Sequence, residues 1–180
     1  MDATKESDET QRLAAVRRYD ILDTPPDGSF DRVTALAACV FDVPIALVTL
    51  VDHDRIWFKS KHGVDGVDEI GRDPGLCASA ILQDEPYIVE EARNDPRTLA
   101  NPLVAGKFGL QFYAAAPLRT ADGHRLGTLC IIDREPRMFS PHQADVLQRL
   151  SEIVMDEMEL RLSAMKAVGQ MQQLDGRRGS

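Results

Sequence analysis

"GLQFYAAAPLRTADGHRLGTLCIID" (Gly109–Asp133) reads as two apolar strands, Leu110–Leu118 and His124–Asp133, joined by a polar turn. The turn, Thr120-Ala121-Asp122-Gly123, carries the Asp-Gly chemistry of a hairpin. Side chains alternate across a strand, so only one of Phe112 and Tyr113 faces a given side. Cys130 sits mid-strand between Leu129 and Ile131, as a packing or pocket-lining residue.

Working outward, "VPIALVTLVD" (Val43–Asp52) is short, continuous and rich in β-branched residues. It predicts a strand buried on both faces and central in its sheet. After a His53-Asp54 turn, "RIWFKSKHG" places Ile56, Phe58 and Ser60 in alternation with Trp57, Lys59 and Lys61. That pattern predicts a half-exposed strand paired with the first. "LCASAILQ" (Leu76–Gln83) reads as a short helix after Pro74-Gly75, and "PYIVEE" (Pro86–Glu91) as a short strand. The stretches Val64–Gly75 and Ala92–Gly109 read as loop, the second with Pro96, Pro102, Gly106 and Gly109 in a long crossover. Long loops inside a compact domain are more often functional than not.

Helical signals flank the strands. In "TQRLAAVRRYDIL" (Thr10–Leu22), Leu13, Val16 and either Ile21 or Leu22 lie near one helical face. "SFDRVTALAACVF" (Ser29–Phe41) predicts a helix capped by Ser29, with Val33, Leu36, Ala37 and Val40 as its apolar face and Cys39 in the core. At the other end, Ser140, Pro141 and Gln143 form a capping box. Leu147, Leu150, Val154, Met158, Leu162 and Met165 follow at spacings of three or four, predicting a helix from Pro141 to Val168 that ends at Gly169. The expected fold is α+β: a central antiparallel β-sheet, N- and C-terminal helices packed on one face, and a loop-rich opposite face. The domain is expected over residues 9–168, with a disordered tail at 1–8 and a flexible tail at 169–180.

Composition narrows the function classes. Among 180 residues, Lys and Arg number 21 against 29 Asp and Glu, a net charge of −8 without a basic stripe. Nucleic-acid binding needs a concentrated positive face, so that class is excluded. The longest apolar run, Val43–Val51, falls well short of the ~20 residues that cross a bilayer. "MDATKESDET" has no signal-peptide pattern, and the expectation is a soluble cytoplasmic chain without membrane contact. Cys39, Cys77 and Cys130 are widely spaced, which fits reduced thiols, and no cluster of metal-ligand spacing occurs, so no metal site is assigned.

Six stretches in order resemble the GAF domain family: "ILDTPPDGSFDRVTALAACVF", "PIALVTLVDHDRIWFKSKHG", "RDPGLCASAI", "NDPRTLANPLV", "FYAAAPLRTADGHRLGTLCIID" and "REPRMFSPHQADVLQRL". They cover Leu13–Leu162. The resemblance implies a sensor or regulatory module of bacterial signalling proteins, of the kind found beside histidine kinases and GGDEF or EAL cyclic-di-GMP enzymes. It implies a loop-roofed pocket on the face away from the terminal helices, under the short helix and the crossover, with a small-molecule ligand of unspecified identity, no assigned cofactor, and an output domain or partner kinase that carries any catalysis. It also implies a homodimer through the terminal helices, with Leu147, Leu150, Val154, Met158, Leu162 and Met165 as its candidate seam. The cyclic-nucleotide signature and a bilin-attachment Cys-His pair are absent; Cys77 is followed by Ala78 and Ser79, and Cys130 by Ile131.

No catalytic residue is assigned. The candidate pocket residues are Phe58, Arg72, Cys77, Arg97, Asn101, Phe112, Tyr113 and Cys130. Aromatic rings give area and shape to a pocket. Arg72 and Arg97, beside Asn101, could grip a carboxylate or phosphate, whereas Asn94 and Asp95 read as loop braces. Cys77 at a helix start has the setting of an activated thiol, but with no resolving thiol placed by sequence the favoured reading is a small buried packing residue. The helix-start setting keeps open a cysteine-based redox sensor, or an enzyme resembling free methionine-(R)-sulfoxide reductase, although the cysteine that such an enzyme carries before the Phe112 strand is missing. A third reading is a ligand-free dimerisation module.

Overall fold

The structure, a computed structural model, describes residues 3–73 and 75–178. A six-stranded antiparallel sheet forms its centre, in the order β3-β2-β1-β6-β5-β4. Its strands are β1 (Ile45–Val51), β2 (Arg55–His62), β3 (Glu69–Gly71), β4 (Tyr87–Val89), β5 (Phe112–Arg119) and β6 (Arg125–Asp133). Helices α1 (Ala3–Arg18), α2 (Gly28–Phe41) and α5 (Pro141–Arg178) cover one face. The short helices α3 (Leu76–Ala80) and α4 (Pro102–Ala105), with the crossover, roof the other. This is the expected α+β architecture.

The central hairpin pairs Ala115 with Cys130 and Tyr113 with Ile132. Its turn closes through Thr120 N–H to His124 O and Gly123 N–H to Thr120 O, with Gly123 at φ 89°. β1 is buried along its whole length, as a central strand whose two faces are both covered must be. Phe112, Ala114 and Leu118 point under the helices, while Tyr113 and Ala115 point under the roof.

Five sequence expectations are corrected. β2 is buried from Ile56 to Ser60 rather than half-exposed. The register with β1 passes from Phe58 to Ser60, leaving Lys59 as a bulge. The bulge turns Ser60 to the helix side, where its hydroxyl donates to Asp31 (2.6 Å) and pairs with Thr34. The Lys59 ammonium donates to Thr24 Oγ1 and Pro25 O, which closes the loop over it. Secondly, α2 is capped by Asp27, which accepts from Ser29 N–H, rather than by Ser29. Its buried face is Phe30, Val33, Thr34, Ala37, Ala38 and Phe41. Leu36, Val40 and Cys39 are exposed, because the helix turns its Phe30–Phe41 stripe to the sheet instead.

Thirdly, residues 3–8 are helical rather than disordered: α1 is anchored by buried Arg12, which donates to Val51 O (2.7 Å) and pairs with Glu9. Met1 and Asp2, Pro74, and Gly179 and Ser180 lie outside the described residues. Fourthly, α5 does not end at Gly169 but runs to Arg178, so the expected flexible tail is helical up to there. An interior glycine costs a helix only ~1 kcal/mol, and Lys166, Ala167, Gln170 and Met171 around this one are good helix formers. The reciprocal Ser140–Gln143 capping box starts α5 as expected.

The fifth correction concerns the expected dimer seam. Leu147, Leu150, Val154, Met158 and Leu162 are buried in the domain's own core, and half-buried Met165 packs against it. A stripe at spacings of three and four identifies one face of a helix, and here the sheet occupies that face.

Candidate functional site

Beneath the roof, side chains from both walls fill the space. Leu76, Cys77, Ala80 and Ile81 come from α3 and its end. Tyr87, Val104, Leu110, Tyr113, Cys130 and Phe58 meet them in one buried cluster. Tyr87 meets the ring of Tyr113 edge-on, with centroids 6.2 Å apart. The expected sensing cavity at this level is therefore occupied by the protein itself.

Within that cluster lies a polar knot. Tyr113 donates its hydroxyl to Cys77 Sγ at 3.2 Å. Cys130, Thr128 and Thr49 act electrostatically on the same sulfur. Thr49 and Thr128 also bond each other across β1 and β6 at 2.9 Å. The Cys130 thiol, followed by these hydroxyls, favours the Cys77 thiolate against the cost of burial and draws its pKa down to about 6. Cys130, as the proton donor to that sulfur, moves well upward, and burial does the same to Tyr113.

Outside the roof, a cleft of about 730 Å³ opens between the β3–α3 loop and the crossover. Arg72, Arg97 and Asn101 line it. Each is already engaged. Arg72 donates to Glu9 (2.6 Å) and to the carbonyls of Asp52 and His53. Arg97 pairs with Asp95, donates to Ile88 O and lies 4.8 Å from the Tyr87 ring centre. Asn101 caps α4 by accepting from Leu103 N–H. Asn94 and Asp95 brace the crossover through Glu91 and Arg97, as expected. A wider cleft of about 870 Å³ beside β2 is lined by Lys61 and Asp68, which pair with each other.

Of the eight candidate residues, the structure gathers Cys77, Tyr113, Cys130 and Phe58 in the roof cluster, and Arg72, Arg97 and Asn101 in the outer cleft. Phe112 is corrected: it lies on the helix side, 5.5 Å from the ring of Phe139, because strand parity opposes it to Tyr113. Sequence reading missed Thr49, Thr128 and Glu9. Strand alternation carried a signal for the threonine of β6, since Thr128 and Cys130 are two apart and share a face. Among the described residues no group of three or more His, Cys, Asp or Glu side chains could hold a metal ion. Among the same residues no helix is long and apolar enough to cross a membrane.

A sequence model of the GAF domain family matches residues 25–158. A cyclic di-GMP phosphodiesterase of Pseudomonas aeruginosa is 40% identical over 149 residues, 82% of this chain and 25% of that protein. The chain thus spans about a quarter of the length of that curated relative. Two solved structures share the fold at low identity. The GAF domain of an Acinetobacter phosphoenolpyruvate-protein phosphotransferase aligns with a TM-score of 0.63 at 15% identity, over 93% of this chain and 98% of that one. A free methionine-R-sulfoxide reductase of Neisseria meningitidis aligns with a TM-score of 0.63 at 17% identity, over 85% and 93%.

Proposed function

The chain belongs to the GAF domain family, and we propose that it is a dimeric regulatory module of a bacterial signalling protein, with α5 as its output. The observation that carries this reading is the length and facing of α5. Its 38 residues would extend roughly 57 Å. Leu162 is its last residue in the buried core. Beyond it, a helix alone in water would be marginal.

A second stripe supports a helical partner for this half. Leu160, Ala167 and Leu174 lie seven apart, with Ala164 and Met171 between them, and all five are exposed. That is the spacing of a two-stranded coiled coil. A second copy is the fitting occupant, since it would bring the same stripe. This seam replaces the buried one expected from sequence. The packed roof favours a module whose interior is filled by its own side chains, leaving the cleft beside Arg72 and Asn101 for a small-molecule input. Any catalytic output belongs to an attached domain, a reading supported by similarity to a quarter of a cyclic di-GMP phosphodiesterase.

Sedimentation velocity at micromolar concentration tests the proposal. The chain is expected to run as a dimer, and Leu160→Glu combined with Met171→Glu as a folded monomer. A wild-type chain that stays monomeric throughout that range sinks the reading.

A further inference from the structure

Lys59, in the bulge of β2, is a buried cation whose partners are all neutral. It is only 3% exposed. Its ammonium donates to Thr24 Oγ1 at 2.9 Å and to Pro25 O at 2.8 Å, and lies 5.4 Å from the centre of the Phe30 ring. An ammonium carries three hydrogens, so one remains to be given. Among the described residues no ion pair includes Lys59; the carboxylates nearby are paired with Arg55, Lys61 and Arg161 instead. A buried charge is costly unless it meets an opposite one. Closing the Thr24–Pro25 loop needs only a donor, so that role does not account for a full charge.

Lys59 lines the cleft of about 870 Å³ beside β2, together with Lys61, Asp23, Asp31, Asp68 and Glu69. The lining is therefore acidic on balance. Asp23 and Glu69 are spent on Arg55, and Asp68 on Lys61. Asp31 is exposed and gives one oxygen to the Ser60 hydroxyl at 2.6 Å. Among the described residues its other oxygen has no donor. Ser60 follows Lys59 in the chain, so Lys59 and Asp31 are neighbours that do not pair with each other. A polyanion would be repelled by the acidic lining, and a simple cation would leave Lys59 unmatched. A zwitterion answers both. Trp57 also lines the cleft, and Val67 on its rim is 39% exposed, which gives apolar cover to a side chain.

We propose that the cleft beside β2 is a binding site for a free α-amino acid with an apolar side chain, its carboxylate accepting from Lys59 and its ammonium donating to Asp31. The site also has a route to α5. Thr24 and Pro25, which hold Lys59, lead into Asp27, and Asp27 pairs with Arg161 of α5 at 3.2 Å. Binding itself does not depend on dimerisation through α5.

The test is isothermal titration calorimetry of the full chain with three probes: L-leucine, isocaproate, which lacks the amine, and isoamylamine, which lacks the carboxylate. Leucine is expected to bind at millimolar concentration or below, and each one-charge analogue roughly tenfold more weakly or worse. Lys59→Met removes the cation and keeps an apolar stem. That variant and Asp31→Asn, at an exposed position, are each expected to weaken leucine by a similar factor, with circular dichroism unchanged. Should Lys59→Met unfold, Asp31→Asn alone decides. Leucine that gives no binding heat at millimolar concentration overturns the proposal, as does isocaproate binding as tightly as leucine. Leucine binding that survives the substitutions unchanged also overturns it, and places the ligand in the outer cleft beside Arg72.

Discussion

At the scale of single residues, Tyr113 does two things at once. Its ring fills the space under the roof, and its hydroxyl is spent on a sulfur. Tyr113→Phe keeps the ring and deletes the donor. Losing a hydrogen bond to a charged group removes roughly 1.5–3 kcal/mol of stabilisation from the thiolate. The Cys77 pKa should therefore rise by about one to two units, read by thiolate ultraviolet absorbance against pH; an unchanged titration would deny the tyrosine its role. Gly127 is a different kind of site. A Cβ there would stand 1.8 Å from Thr49 O and 2.7 Å from Leu50 Cα, both backbone atoms that a rotamer change cannot clear. Gly127→Ala is expected to destabilise the fold by about 3 kcal/mol in urea unfolding. Legibility at this scale was uneven. Alternation told that Phe112 and Tyr113 part company, but not which of them lay under the roof. The bond from Tyr113 to Cys77 was invisible, since tertiary docking of α3 on the sheet, and no local pattern, brings the two together.

Among the elements, sequence patterns identified the helices and strands better than what covers them. The apolar stripe of α5 was plain, yet periodicity alone does not distinguish a sheet from a second helix as its partner. The bulge at Lys59 was likewise hidden, because an inserted residue leaves the alternation of residue types intact while reversing their facing. Capping was readable at α5, where Ser140 and Gln143 reciprocate. It was misplaced by two residues at α2, where Asp27 serves both as cap and as ion partner of Arg161 at 3.2 Å. Asp27→Ala should cost about 1 kcal/mol of stability from the cap alone, measured by thermal or urea denaturation. For α5, cutting the chain after Met165 is expected to abolish dimerisation while one cooperative unfolding transition persists, because the deleted residues add nothing to the buried core. Loss of cooperative unfolding in circular dichroism would contradict that division of labour.

Across the whole molecule, Glu9 ties three parts together. It accepts from Arg12, which is anchored on β1, and from Arg72 on the roof side. The Arg12 hydrogen bond, followed by that of Arg72, outweighs burial and lowers the Glu9 pKa from 4.5 to about 2. A carboxyl whose folded pKa is depressed contributes stability that is full above its unfolded value. That contribution is lost as pH falls from 4.5 through about 2. Because the carboxylate is still 34% exposed and screened by solvent, we expect about 1 kcal/mol from it. Glu9→Gln should lower stability at neutral pH and flatten the acid limb over that window; an acid limb identical to wild type would remove Glu9 from the account. The facing of α5 carries a mechanical consequence. At 3.6 residues per turn, Leu160 lies about 200° around the axis from Leu162, so the core stripe and the outward stripe occupy opposite sides of one shaft. Spinning that shaft would tear Val154 and Met158 from the sheet before it changed what the far end presents. The motion left to it is that of a lever, pivoting where the last core residue grips and sweeping its free end through the widest arc.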